Sequence, residues 1–411
     1  PPPFSSRRRH TRYRRSSRGL GDVYKRQVWL DAESGSLADF ERVRAEALAR
    51  SDWAFAVAVE KGVPIYDGAM VRKAAAEDVA RRDVTAEWVE VFAQGPGVIV
   101  IRDALPDHEA IDRATEAFEA IIARERVAGS GGGDHFAKPG DNDRVWNALE
   151  KHCLADPEGF ARYYASDAIA LASQAWLGRG YQVTAQVNRV NPGGGAQRPH
   201  RDYHLGFMDA AAMADFPAHI HRLSPVLTLQ GAVAHCDMPL ESGPTLFLPG
   251  SQCFFEGYLA FGRPEFQDYF AANHVQLPLE KGDAVFFNPA LMHGAGANVS
   301  SDIERLANLL QVSSAFGRSI ERVDRVAMCA ALYEPLLVAR QTETLGPRAL
   351  ANAIAASAEG YAFPTDLDRD PPVGGLIPQT QAELMIEMLD AETPPAEAQQ
   401  RLTAYATRRW G

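Results

Sequence analysis

Cysteine is scarce. The 411 residues contain four, Cys153, Cys236, Cys253 and Cys329, and no two form a Cys-x-x-Cys pair. Neither a zinc knuckle nor a disulfide framework is signalled, and a reducing cytoplasm is the expected compartment. No apolar run approaches the roughly 20 residues that a membrane helix needs, so no membrane partner is expected. There is no internal repeat. Positive charge is also scarce beyond the first 26 residues. These hold nine Lys/Arg and one Asp, whereas the whole chain carries a net charge of −11. The body is therefore strongly acidic, and a nucleic-acid partner, which needs clustered positive charge, is not expected.

What remains is ordinary soluble composition, with 46% hydrophobic and 23% charged residues. Its length suffices to bury a sizeable core. The arginine-rich head, residues 1–27, has the composition of a nucleic-acid arm or a transit peptide but lacks the apolar core of a signal peptide. It is expected to be a disordered, non-native extension and is set apart from the fold. Apolar residues at helical spacing predict helices over 37–60 and 70–94, giving a helical N-terminal extension at 28–94. Gly97-Val98-Ile99-Val100-Ile101 suits a buried strand, and Asp107 is placed to cap the helix that follows, to Arg126. Gly129 to Gly133 break the chain, and the loop after them, with His135 and Lys138, is a candidate lid or a surface insertion. Residues 158–177 return to helix.

From Tyr181 to about Ser314 the pattern changes to short strands punctuated by turns. Strands are expected at 181–190, 225–235, 245–248, 275–279, 284–287 and 306–313, with turns at Asn191 to Gly195, Glu241 to Pro244 and Lys281 to Asp283. This predicts a mainly β core with flanking helices. The core, 95–318, is expected to be a jelly roll of cupin-like type, followed by a helical C-terminal extension at 319–411.

Within this region, His200 and Asp202 lie two apart in Arg198-Pro199-His200-Arg201-Asp202-Tyr203, so on a strand both face the same side. His293 follows near the end of the strand pattern, in Met292-His293-Gly294-Ala295-Gly296, and Arg305 comes twelve residues later. Two histidines and a carboxylate can hold one face of an iron(II) ion and leave the other face open. A planar, permanently charged guanidinium can clamp the far carboxylate of a dicarboxylic cosubstrate such as 2-oxoglutarate.

These blocks resemble the phytanoyl-CoA dioxygenase-like group of iron(II)/2-oxoglutarate oxygenases. The resemblance runs over about 95–315 through Gly97 to Ile101, Gln197 to Asp202, Ala234 to Pro244, Leu248-Pro249-Gly250-Ser251, Lys281 to Phe287, and His293 to Asn298 with Arg305. It implies a double-stranded β-helix, iron ligation by His200, Asp202 and His293, and 2-oxoglutarate held through its C5 carboxylate by Arg305. It further implies hydroxylation of a C–H bond of a small molecule with O2, releasing succinate and CO2. Gln252 and His235 depart from the resemblance, the first where the family commonly has histidine. Related halogenases replace the carboxylate ligand by a small residue; here Asp202 is intact.

Gln186, Asn188 and Thr228 are candidate cosubstrate contacts, and His204, Gln230 and His135 candidate substrate contacts. Each has a plainer reading as a core or surface polar residue. The helical additions are expected to build a substrate lid or the interface of a homo-oligomer. Two other classes use the same triad: a cupin-type metal-dependent isomerase or hydrolase, and a non-catalytic metal-binding barrel. Arg305 is the feature that counts against the first, and absence of succinate formation under any conditions would favour the second.

Overall fold

The computed structural model describes residues 28–128 and 140–410. The arginine-rich head and the glycine-flanked segment with His135 and Lys138 lie outside the described residues. The strands are β1 (Ala58–Glu60), β2 (Val63–Asp67), β3 (Val98–Arg102), β4 (Asn142–Val145), β5 (Gln182–Val190), β6 (Thr228–Ala234), β7 (Leu246–Phe247), β8 (Val275–Gln276), β9 (Ala284–Phe287), β10 (His293–Gly294) and β11 (Arg305–Ser313). Eight form one sheet in the order β1-β2-β3-β9-β6-β11-β5-β4, and three form a small sheet, β10-β7-β8. Every pairing is antiparallel except β2 with β3.

The two faces of the large sheet divide by the strand period of two. Ile99, Val183, Val187, Leu229, Val233, Phe286, Leu310 and Val312 pack into one core with the helices. Val98, Val100, Ala232, Ala234, Val285, Phe287 and Ala307 face the other way, onto Phe247 and Leu277 of the small-sheet side. Helices cover the first face because it is continuously apolar. Among them are His108–Val127, Asp167–Leu177 and Arg325–Gln341. Gly231 shows how tight this layer is: a Cβ there would lie 2.6 Å from Cδ1 of Phe286, its register partner on β9.

The architecture is mixed α/β, a large sheet with many helices, so a mainly β description understates the helical share. Local signals account for several boundaries. Asp107 accepts from the backbone N–H of Ala110 at the start of its helix, and Thr380 with Glu383 forms a capping box. The helix predicted over 37–60 ends at Leu48. Beyond it, Lys61 and Gly62 take positive φ and turn the exposed edge strand β1 back onto β2, whose Val63 to Tyr66 are all buried. The segment read as one helix over 158–177 is two, Pro157–Tyr164 and Asp167–Leu177, with Ser166 capping the second. The strand predicted from Pro225 begins at Thr228, after a 3-10 turn. Among the described residues no helix is long and apolar enough to cross a membrane.

Candidate metal centre

The chain reaches the centre from the end of β5 through Asn191 to Gly195. His200 then pairs with His293 as an isolated bridge. The backbone N–H of His200 donates to His293 O at 2.9 Å, and that of His293 donates to His200 O at 3.1 Å. The reciprocal pair sets the two rings side by side, centroids 4.5 Å apart. Asp202 is anchored by its N–H to Pro289 O at 2.8 Å. The intervening Arg201 points the opposite way and is fully buried. It donates to Ala290 O at 2.6 Å and Ser251 O at 3.2 Å and stacks over the Tyr258 ring. Alternation thus aims His200 and Asp202 inward while Arg201 ties their segment to the loops behind it.

One Asp202 carboxylate oxygen lies 3.4 Å from Nε2 of His200 and 3.4 Å from Nε2 of His293. The three ligand atoms all lie within 4.8 Å of one another. Nδ1 of His200 is 2.9 Å from Arg198 O, and Nδ1 of His293 is 2.8 Å from Leu291 O. A carbonyl only accepts, so each Nδ1 carries the proton and each Nε2 offers its lone pair toward Asp202. Such carbonyl partners fix ring orientation in metal sites. The donor set fits a divalent transition metal held on one face.

His200, Asp202 and His293 line a cavity of about 880 Å³. Arg305 lines it too, buried at 6% exposure. Desolvation lowers its pKa to about 10, which leaves it charged at neutral pH. It donates to Ser242 O at 3.3 Å, in a turn closed by Gly243 at φ +73° with a Cβ position only 2.3 Å from Ala297 O. Among the described residues no carboxylate forms an ion pair with Arg305. A buried cation so placed calls for an anionic ligand.

Gln186, Asn188 and Gln230 also line the cavity. Gln186 accepts from Arg144 and donates to Glu321 Oε1 at 3.4 Å; Asn188 accepts from Asn142 at 3.2 Å. Gln230 Nε2 donates to Asp202 Oδ2 at 2.7 Å. The structure does not bring Thr228 and His204 to the cavity lining. They contact each other at 3.1 Å, and His204 Nε2 donates to Arg318 O at 2.8 Å. His135 lies outside the described residues. Gln252 is buried and donates to Gly95 O at 2.9 Å. His235 is held between Thr115 Oγ1 and the Tyr163 hydroxyl, on the helix side of the sheet.

Arg144, Trp146 and Gln311 also line the cavity, the first two from the segment expected to be a lid or surface loop, which here includes β4. Positions 305, 307, 309 and 311 share one face of β11. Arg144 and Trp146 follow the glycine-rich break and lack a clear period.

No curated protein matches the chain. Among solved structures it is similar to the non-heme α-ketoglutarate-dependent epimerase SnoN from nogalamycin biosynthesis, at 20% identity over 57% of this chain and 84% of that one, with a TM-score of 0.40. It is also similar to the carbocyclase SnoK of the same biosynthesis (20% identity, 57% and 86%, 0.41) and to AviO1 from Streptomyces viridochromogenes Tue57 (19%, 57% and 96%, 0.40). The sequence model of phytanoyl-CoA dioxygenase matches residues 93–307, which is more than half of the chain and includes His200, Asp202, His293 and Arg305. The chain belongs to the phytanoyl-CoA dioxygenase family, whose members use iron(II) and 2-oxoglutarate.

Proposed function

We propose that this protein is an iron(II)/2-oxoglutarate-dependent dioxygenase that hydroxylates a C–H bond of a small organic molecule, with release of succinate and CO2. The observation that carries the reading is the conjunction of the His200–Asp202–His293 donor set with Arg305, a buried cation without a carboxylate partner among the described residues, in one cavity. In this reading residues 95–318 form a double-stranded β-helix whose two layers are the large and small sheets. The segments 28–94 and 319–411 are additions to it, and the first extends the large sheet at one edge through β1 and β2.

His200, Asp202 and His293 would hold iron(II), and Arg305 would hold the far carboxylate of 2-oxoglutarate through charge-assisted hydrogen bonds. When bound, the metal and cosubstrate supply oxygen activation coupled to oxidative decarboxylation. The protein orients and protects. Gln230 steadies the Asp202 carboxylate, and the apolar wall of Met238, Phe247, Leu277 and Phe287 excludes water from the reacting region. The isomerase or hydrolase reading needs no dicarboxylate and leaves Arg305 unexplained.

Calorimetric titration of 2-oxoglutarate into protein loaded with manganese(II) tests the proposal. Binding that requires the metal and weakens about 10- to 100-fold in Arg305→Ala is expected. Metal-loaded protein that does not bind 2-oxoglutarate contradicts it.

A further inference from the structure

The inner face of β11 carries Arg305 near one end and Gln311 near the other, about 20 Å apart along an extended strand. In the function proposed above, on which this inference rests, the Arg305 end receives the cosubstrate. The Gln311 end then belongs to the substrate. There Gln311 is the register partner of Gln230 on β6, and both line the cavity.

The Gln230 amide has a defined sense. The Asp202 carboxylate accepts its hydrogen bond at 2.7 Å, so Nε2 faces Asp202 and the other end of the amide, Oε1, is an acceptor. Oε1 of Gln230 is buried and receives no hydrogen bond among the described residues; the same holds for Oε1 of Gln311. Gln230 is 4% exposed. Gln186, on the adjacent strand, differs, since it both accepts and donates within the protein.

We propose that Gln230 and Gln311 form an acceptor pair for an O–H or N–H donor of the substrate, which places the substrate among hydroxyl- or amine-bearing molecules. Buried acceptors without a donor are costly, so water or a ligand must donate to them. A ligand that displaces such water without a donor of its own loses those hydrogen bonds. Sites built on buried polar groups reject analogues that lack the matching group. Phe207, Met208, Phe261 and Ile320 line the same cavity and suit the apolar carbons of such a molecule.

The test compares cyclohexanol with methoxycyclohexane, which lacks the donor, by ligand-observed NMR on protein loaded with manganese(II) and 2-oxoglutarate. Wild type is expected to bind the alcohol roughly ten-fold or more tightly than the ether. Gln311→Met, which leaves the Gln230–Asp202 contact in place, is expected to reduce that preference several-fold, and Gln311→Ser provides a smaller second variant. Equal binding of the two probes by wild type, or an undiminished preference in both variants, overturns the proposal. Calorimetric binding of 2-oxoglutarate to the same samples separates the two failures. Cosubstrate binding without donor preference removes the acceptor pair and leaves the oxygenase reading. Without cosubstrate binding that reading falls, and the probe comparison on metal-free protein decides the acceptor pair by itself.

Discussion

Two pairs of histidines lie on opposite sides of the large sheet. His200 and His293 face the cavity, give their Nδ1 protons to carbonyls and turn Nε2 toward a carboxylate. His152 and His235 lie among Phe118, Phe160, Tyr163 and Tyr164 in the helix-covered core. Burial pushes their pKa values down to about 4 and about 3, so both are neutral. His235 meets a hydroxyl at each nitrogen, and neither His152 nitrogen has a partner among the described residues. The same side chain is a candidate ligand on one face and a core residue on the other. The difference lies in the carboxylate beside it and in the carbonyls that fix its tautomer.

Changes on the cavity side should strike the metal and spare the fold, while changes on the helix side should do the reverse. The largest effect is expected for Asp202→Ala, which abolishes iron binding, measured by metal analysis after gel filtration, while the circular dichroism spectrum is retained. On the other face, Phe286→Ala removes a fully buried ring and is expected to cost about 3–5 kcal/mol in urea unfolding, with metal stoichiometry unchanged in the folded fraction.

The pH dependence separates the pairs further. His152 and His235 titrate far below the ordinary histidine value in the folded state, so the unfolded chain binds more protons once the pH falls below about 6.5. Their contribution to stability is present above that pH and is lost as the pH falls toward about 4 and 3. Each ring adds up to about 1.4 kcal/mol per pH unit in that window. Urea midpoints measured between pH 4 and 7 should show a smaller slope in His152→Phe than in wild type. The smallest effect is expected for Gln230→Met, which removes the hydrogen bond to Asp202 and should weaken metal affinity by about 10- to 100-fold without altering the unfolding midpoint of the metal-free protein.

The order His200, Asp202, His293, Arg305 made the candidate centre legible, although only His293 and Arg305 lie on strands and His200 joins His293 by an isolated bridge. Most strands from β5 onward were legible because their period could be read. Thr228 and Gln230 looked equivalent by alternation. Yet Gln230 reaches Asp202, while Thr228, at the strand edge, meets His204 after a 3-10 turn brings the two together. That pairing depends on tertiary contact between segments 24 residues apart, which no local period encodes. Gln311 lies on a strand whose period is plain, but six residues beyond Arg305 nothing in that pattern sets it apart from an ordinary polar strand residue. The β1–β2 hairpin was hidden because Ala54 to Val59 continue the apolar content of the preceding helix, and only Lys61-Gly62 marks the turn.

The most direct test of the account is the visible spectrum of the protein given iron(II) and 2-oxoglutarate without oxygen. A metal-to-ligand charge-transfer band is predicted for wild type, absent in Asp202→Ala and requiring more 2-oxoglutarate in Arg305→Ala. Wild-type protein that binds iron but shows no band at saturating 2-oxoglutarate would contradict it.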